Sequence, residues 1–400
     1  MKDYNRIYFD YNATTPVHPD VVKIMDEYYL QKFGNAGSAH SDGLAAYEGI
    51  SWARNMCAQF LNCKSEEIIF TSGGSEADNL AIQGRLFKYH EEHPNITPHL
   101  IISNIEHPAV FETAKFMERQ GFEVTYLQVD SNGSISPQQI QEAIRENTAL
   151  ISIMYANNEI GTINPIEEIG KVARKAGIMF HTDAVQAFTK VKIDVQKENI
   201  DMLSVSAHKF YGPKGVGFLY IRNDPNTEKN VSTARKYLRP LMYGGSQEFN
   251  MRPATENIPG VIGMAKAVEI AQSDFDDEYT RLRNFRDYLI SHILKEIPET
   301  KLNGSWKNRL PHNVNICFQD IYAYDLMVKL DMAGVACSVG AACHAGDTNP
   351  SRVLLGIGLT PDEAAGSLRF SLGRWTEKEH VDKLLSLLDK YIPQMRKNNK

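Results

Sequence analysis

Between residues 66 and 222 the chain repeats one pattern, short apolar runs separated by amphipathic segments. The runs are EIIF (67–70), LIIS (100–103), EVTYLQV (123–129), ALISIMYA (149–156), IMFHTD (178–183), MLSVSA (202–207) and VGFLYI (216–221). Helical spacing appears between them near 75–91, 108–120, 137–146 and 165–176. Strands that are apolar on both faces and alternate with helices predict a largely parallel sheet covered on both sides, an α/β fold. Ligands of such sheets sit at the carboxyl ends of the strands. No apolar run approaches the roughly 18 residues of a membrane span.

The pattern changes after Gly260. Apolar residues from Val261 to Ile293 recur at steps of three and four, which reads as one long amphipathic helix. Strand-like segments follow at 313–318 and 367–372. Thr360-Pro361-Asp362-Glu363 has the cap, first-turn proline and third-position acid of a helix start. The reading is a large domain over 15–260 and a smaller α+β domain over 261–400 that includes the N-terminal segment 1–14. The basic tail after Pro393 reads as frayed.

A net charge of −6 over 400 residues gives no electrostatic reason to expect nucleic acid or an anionic membrane. The opening residues lack the apolar stretch of a secretory signal. Five cysteines with no CxxC pair argue against a disulfide framework or structural zinc. A cytoplasmic setting is the simplest expectation.

Three motifs at successive strand ends carry chemistry, and together they fit pyridoxal phosphate. SGGSEADNL (72–80) is a glycine-rich helix start suited to a phosphate, with Gly74 and Ser75 at the turn and Ser75 read as the cap. HTDAVQ (181–186) places Asp183 at the ligand edge, where a carboxylate keeps a pyridine nitrogen protonated; Gln186 lies within reach of the ring oxygen. The alternative for Asp183 is a plain helix cap. SAHKFYGPKG (206–215) supplies Lys209 at the end of a buried strand, flanked by Ser206 and His208, with Lys214 as a second candidate in the turn. His107 could stack on a cofactor ring or simply start a helix, and Asn158 could reach the ring oxygen or the substrate.

These residues resemble the cysteine desulfurases and the related selenocysteine lyases, pyridoxal-phosphate enzymes of the aspartate-aminotransferase-like fold (fold type I). The likeness runs nearly end to end, through DYNATTP (10–16), FGN (33–35), FTSGGSEADNLAI (70–82), NNEIG (157–161), HTDAVQ, HKFYGPKG, RPATEN (252–257), SVGAACH (338–344), PSRVLLGIGL (350–359) and LRFSLGR (368–374). The resemblance implies that Lys209 forms the covalent link to the cofactor and that His107 stacks on its ring. It implies that Asp183 faces the ring nitrogen, that Gln186 faces the phenolic oxygen, and that Gly74, Ser75, Ser206 and His208 hold the phosphate. Thr255 matches a position that reaches the phosphate of a partner subunit, which implies a homodimer with shared active sites. Arg369 would clamp the substrate carboxylate, with Asn35 in a substrate-side loop. Cys343, beside His344, would be the nucleophile that takes sulfur from L-cysteine, leaving alanine, and would pass it to an acceptor protein.

Selenocysteine lyase is the second reading. Pro108 after the ring-stacking histidine and Ala254 in the RPAT segment depart from the family patterns and leave selenium preference and dimer-contact geometry open. Two further readings are another aminotransferase-type reaction, which needs no thiol, and a metal hydrolase using His107, His181, Asp183 and His208. The primary reading requires no metal.

Overall fold

The computed structural model describes residues 6–339 and 350–398. All seven apolar runs are strands of one sheet: β1 (Ile68–Thr71), β2 (His99–Ser103), β3 (Glu123–Leu127), β4 (Thr148–Ser152), β5 (Met179–Asp183), β6 (Met202–Ser206) and β7 (Gly217–Ile221). Their order is β1-β7-β6-β5-β4-β2-β3. Only β7 runs against the rest. The link 207–216 carries no crossover helix, and a parallel return needs one.

Period-two alternation assigns the two faces. Ile68, Phe70 and Ile101 enter a core under the helices Ser41–Leu61, Ile166–Ala176 and Ile258–Ser273. Ile69, Leu100 and Ile102 enter a core under Gly74–Glu92 and Pro108–Arg119. Each such side chain, fully buried, contributes about 1.5–3 kcal/mol, so truncating Ile101 would weaken both the sheet and the helix layer above it.

A smaller three-stranded antiparallel sheet contains β8 (Thr300–Leu302), β9 (Asn313–Phe318) and β10 (Ser367–Ser371), in the order β10-β9-β8. Helices Phe275–Glu296 and Lys378–Asn398 pack on it around a separate core that also takes in Phe9.

Two local expectations change. The long helix after Gly260 is two helices, Ile258–Ser273 and Phe275–Glu296, parted at Asp274 (φ −126°, ψ 20°), whose carboxylate is held by both terminal nitrogens of Arg374 at 2.6 and 3.1 Å. Apolar spacing keeps step across that residue, so periodicity does not reveal the break. Val261, Ile262 and Met264 join the core of the large sheet, whereas Leu282 and Leu289 join the other. The change of core therefore falls near Asp274 rather than at 260. The final helix also continues through Pro393 instead of fraying there. Ile392 and Met395 are buried, and the Arg396 guanidinium donates to Pro298 O, Glu299 O and Gln319 O.

Candidate active site

The carboxyl ends of β1, β2, β4, β5 and β6 surround one cavity of about 290 Å³. Asp183 is the last residue of β5 and Ser206 the last of β6. A single 3-10 turn, Ala207–Lys209, then brings Lys209 to the rim. His107 follows β2, Asn158 follows β4, and Gly74 and Ser75 begin the helix after β1. All of these line the cavity, as do Gln186, His208 and Arg369.

The Gly74–Glu92 helix has no side-chain cap; Gly73, at φ 156° and ψ −176°, occupies the cap position. That conformation is essentially restricted to glycine. The Ser75 cap expected from sequence is therefore not formed. Glu76 Oε2 accepts instead from Ser72 N at 2.8 Å. An uncapped helix start leaves its first N–H groups for an anion. Gly74 also permits close approach, since a Cβ there would lie 2.7 Å from Val185 Cγ2.

Lys209 Nζ donates to Asn12 O at 2.7 Å and Ala13 O at 2.8 Å. Asp183 is buried, and Val185 N donates to its Oδ1 at 2.9 Å. Burial pushes its carboxyl pKa up, opposed by the charges of His107 and Lys209. A buried acid in this state gains from a cationic N–H partner. His107 Nδ1 accepts from Ala109 N at 3.1 Å, so the residue both caps its helix and faces the cavity. Burial lowers its pKa; the Asp183 charge works against that and the Lys209 charge adds to it. The His208 pKa is lowered to about 4 by burial, then by Lys209 and Lys214. Its Nδ1 lies 3.1 Å from Thr14 Oγ1.

Arg369 is 1% exposed. Its Nη2 pairs with Asp10 Oδ1 at 2.8 Å and its Nη1 donates to Asn158 O at 3.0 Å. Its Nε has no partner among the described residues.

Asn35 and Thr255 are exposed and lie outside the cavity lining; Asn35 Oδ1 accepts from Gly37 N at 2.9 Å. Lys214 is exposed in its turn. Cys343 and His344 lie outside the described residues. Cys337, half-buried with its thiol pKa pushed up by burial, and the buried Cys57 and Cys317 are packing residues. The four-residue metal set is not assembled, because His181 is enclosed between Ser152 Oγ (2.8 Å) and Ser204 Oγ (2.9 Å). Asp78, His107 and Asp183 do converge, with ligand atoms within 4.8 Å of one another.

Sequence reasoning assigned no role to Asn12, Ala13, Asp78, Met154, Ala156 or Val185, all in the lining. The one available signal was Asp78, a carboxylate inside the apolar helix turn ADNLAI.

The profile of the class-V aminotransferases matches residues 7–384. The chain belongs to the class-V aminotransferase family. It is 44% identical over 390 residues to cysteine desulfurase IscS of Dictyoglomus turgidum, covering 98% of this chain and 95% of that protein. Against cysteine desulfurase IscS of Methanosarcina thermophila it is 45% identical over 390 residues, covering 98% and 93%. Among solved structures, a NifS-like protein superposes with a TM-score of 0.87 at 34% identity, covering 97% of this chain and all of that one. SspA in complex with cysteine superposes at 0.77 with 40% identity, covering 92% and 98%.

The family's cofactor is pyridoxal phosphate, and the residues fit it. The uncapped helix start, with Ser75, Ser206 and His208 beside it, suits a phosphate dianion. Asp183, buried at the other side of the cavity, suits a protonated ring nitrogen, and the Lys209 amine shares the same cavity.

Proposed function

We propose that this chain is a pyridoxal-phosphate-dependent cysteine desulfurase, in which Lys209 holds the cofactor and moves the substrate proton while Cys343 receives the sulfur. The observation that carries the reading is the convergence of Lys209, Asp183 and Arg369 on a single cavity. When bound, the cofactor supplies an electron sink for the bond-breaking carbon.

The chain's own residues do the rest. Arg369 holds the substrate carboxylate through a charged fork. The Lys209 amine takes the Cα proton. Asp183 stays anionic and keeps the ring nitrogen protonated, and His107, neutral at pH 7, covers the ring. The Cys343 thiolate attacks the substrate sulfur, the carbon–sulfur bond breaks, and the carbon takes up a proton. Cys343 is left as a persulfide and the product is L-alanine.

The attachment points of the intervening chain support Cys343 in this role. Ser338 N donates to Arg369 O at 3.1 Å on one side, and Ser351 Oγ donates to Glu159 Oε2 at 2.5 Å on the other. Both lie beside residues of the cavity wall. The thiol must then hand its sulfur to an acceptor protein.

The exposed Thr255 and Asn35 fit a homodimer in which each copy completes the other's site. Mixing Lys209→Ala and Thr255→Ala subunits tests this: restored activity in the hybrid supports shared sites, and no restoration excludes them. Among the described residues no helix is long and apolar enough to cross a membrane.

The test of the function is alanine and persulfide formation from L-cysteine by wild type and Cys343→Ala. Wild type makes both and the variant neither. Alanine release from cysteine by Cys343→Ala would remove the thiol from the mechanism, and turnover of selenocysteine alone would reassign the substrate.

A further inference from the structure

Behind Asp183 the cavity floor holds a second carboxyl that the reaction does not use. Asp78 sits on the helix Gly74–Glu92, lines the cavity and is 1% exposed. Its Oδ1 is buried with no hydrogen-bond partner among the described residues. The nearest basic atom is His181 Nε2 at 3.7 Å. His181 is fully enclosed between Ser152 and Ser204, and burial keeps its imidazole neutral, with the pKa lowered to about 3. Asp78 therefore has no cationic counterpart there.

Its other neighbours are acids. A carboxylate oxygen of Asp183 lies within 4.8 Å, in the same group as a ring nitrogen of His107. Burial raises the Asp78 pKa, and the charges of Asp183 and Glu106 raise it further; only the Ser204 hydroxyl favours its ionised form. Two carboxylates this close in a water-poor site do not both ionise at neutral pH. Asp183, at the rim, gains His107 and Lys209 as compensating charges, whereas Asp78 gains neither.

We infer that Asp78 is a positioning residue for Asp183: an uncharged carboxyl that joins the Ser152–His181–Ser204 chain to the cavity floor and leaves Asp183 the single anion facing the cofactor nitrogen. The inference rests on pyridoxal phosphate occupying this cavity. What the floor needs at position 78 is hydrogen-bonding shape without charge. Asparagine supplies that and alanine does not.

The experiment uses the full-length holoenzyme with Asp78→Asn and Asp78→Ala. It reads the visible absorbance of the lysine–cofactor linkage, the pH midpoint of that band and retention of pyridoxal phosphate on dialysis. Asp78→Asn keeps all three at wild-type values. Asp78→Ala retains the cofactor about tenfold less well, the loss of one buried hydrogen-bonding group, and moves the midpoint. If Asp78→Asn is as impaired as Asp78→Ala, a charge is required and the inference is wrong. If Asp78→Ala matches wild type, Asp78 has no such role. Should the alanine variant not fold, an isotope-edited infrared difference spectrum of wild type against Asp78→Asn decides the matter. A protonated-carboxyl carbonyl band lost in the variant supports the assignment, and an ionised-carboxylate band lost instead overturns it. A wild-type protein with no visible band would refute the cofactor reading, a result separate from either outcome at Asp78.

Discussion

Replacing Arg369 with lysine separates charge from geometry at the proposed substrate clamp. The guanidinium is enclosed, with 2% of its side chain exposed, yet its protein contacts use only two of its nitrogens: Nη2 on Asp10 Oδ1 and Nη1 on Asn158 O. The Nε–H remains for a ligand in the cavity. Lysine keeps a positive charge against Asp10 but loses the planar fork. A hydrogen bond to a charged group contributes about 1.5–3 kcal/mol. Loss of one arm of a bidentate clamp, with misplacement of the other, amounts to about 2–3 kcal/mol, roughly 30- to 150-fold in kcat/KM. Because the carboxylate is held equally before and during bond breaking, most of this should appear in KM. The assay is alanine formation against cysteine concentration, with the visible cofactor band recorded on the same samples. Unchanged kcat/KM with an intact band would refute the clamp. Loss of the band together with activity would show that Arg369 instead holds the site's walls.

Three further outcomes follow from the packing. Glu106 is buried, accepts from Ser103 Oγ and Met154 N, and has a pKa raised to about 8 by burial. The folded state therefore holds a proton that the unfolded chain loses near pH 4.5, and the associated stability is full below about 4.5 and disappears as pH rises through about 8. Glu106→Gln should accordingly gain stability relative to wild type between pH 5 and pH 9, by denaturant unfolding at both values; an equal difference at the two would contradict the assignment. Arg54→Ala breaks the enclosed pair with Glu248 (2.7 Å), whose carboxylate also accepts from Phe70 N. The expected loss is about 3–5 kcal/mol in the same assay, and a loss under 1 kcal/mol would count against it. Gly170→Ala would set a Cβ 2.0 Å from Glu198 O within the helix Ile166–Ala176. It should cost about 1–3 kcal/mol while leaving activity per folded molecule unchanged.

The strands and the cavity wall were legible because both are written locally. An apolar run such as MLSVS can be buried only inside a sheet, and whatever follows it, here Ser206 to Lys209, falls at the ligand edge. What was not legible depends on contacts distant in sequence. Asn12 and Ala13 reach Lys209 from almost two hundred residues away, and Asp10 meets Arg369 across 359 positions. No local pattern marks either pairing. The Ser75 cap failed because Gly73 occupies the cap position in a conformation that composition alone does not disclose. The helix break at Asp274 preserves apolar phase, and the last helix survives Pro393 because Arg396 ties it to three carbonyls. Asn35 and Thr255 lie outside the cavity of a single chain, so their assigned roles depend on a second copy.

Reduction with borohydride followed by peptide mapping tests the central claim most directly, because it converts the lysine–cofactor linkage into a stable adduct whose position can be read. The account predicts one modified peptide, carrying the adduct on Lys209, and no adduct in Lys209→Ala. Modification of the exposed Lys214 in its place, or no adduct in the wild-type protein, would contradict it.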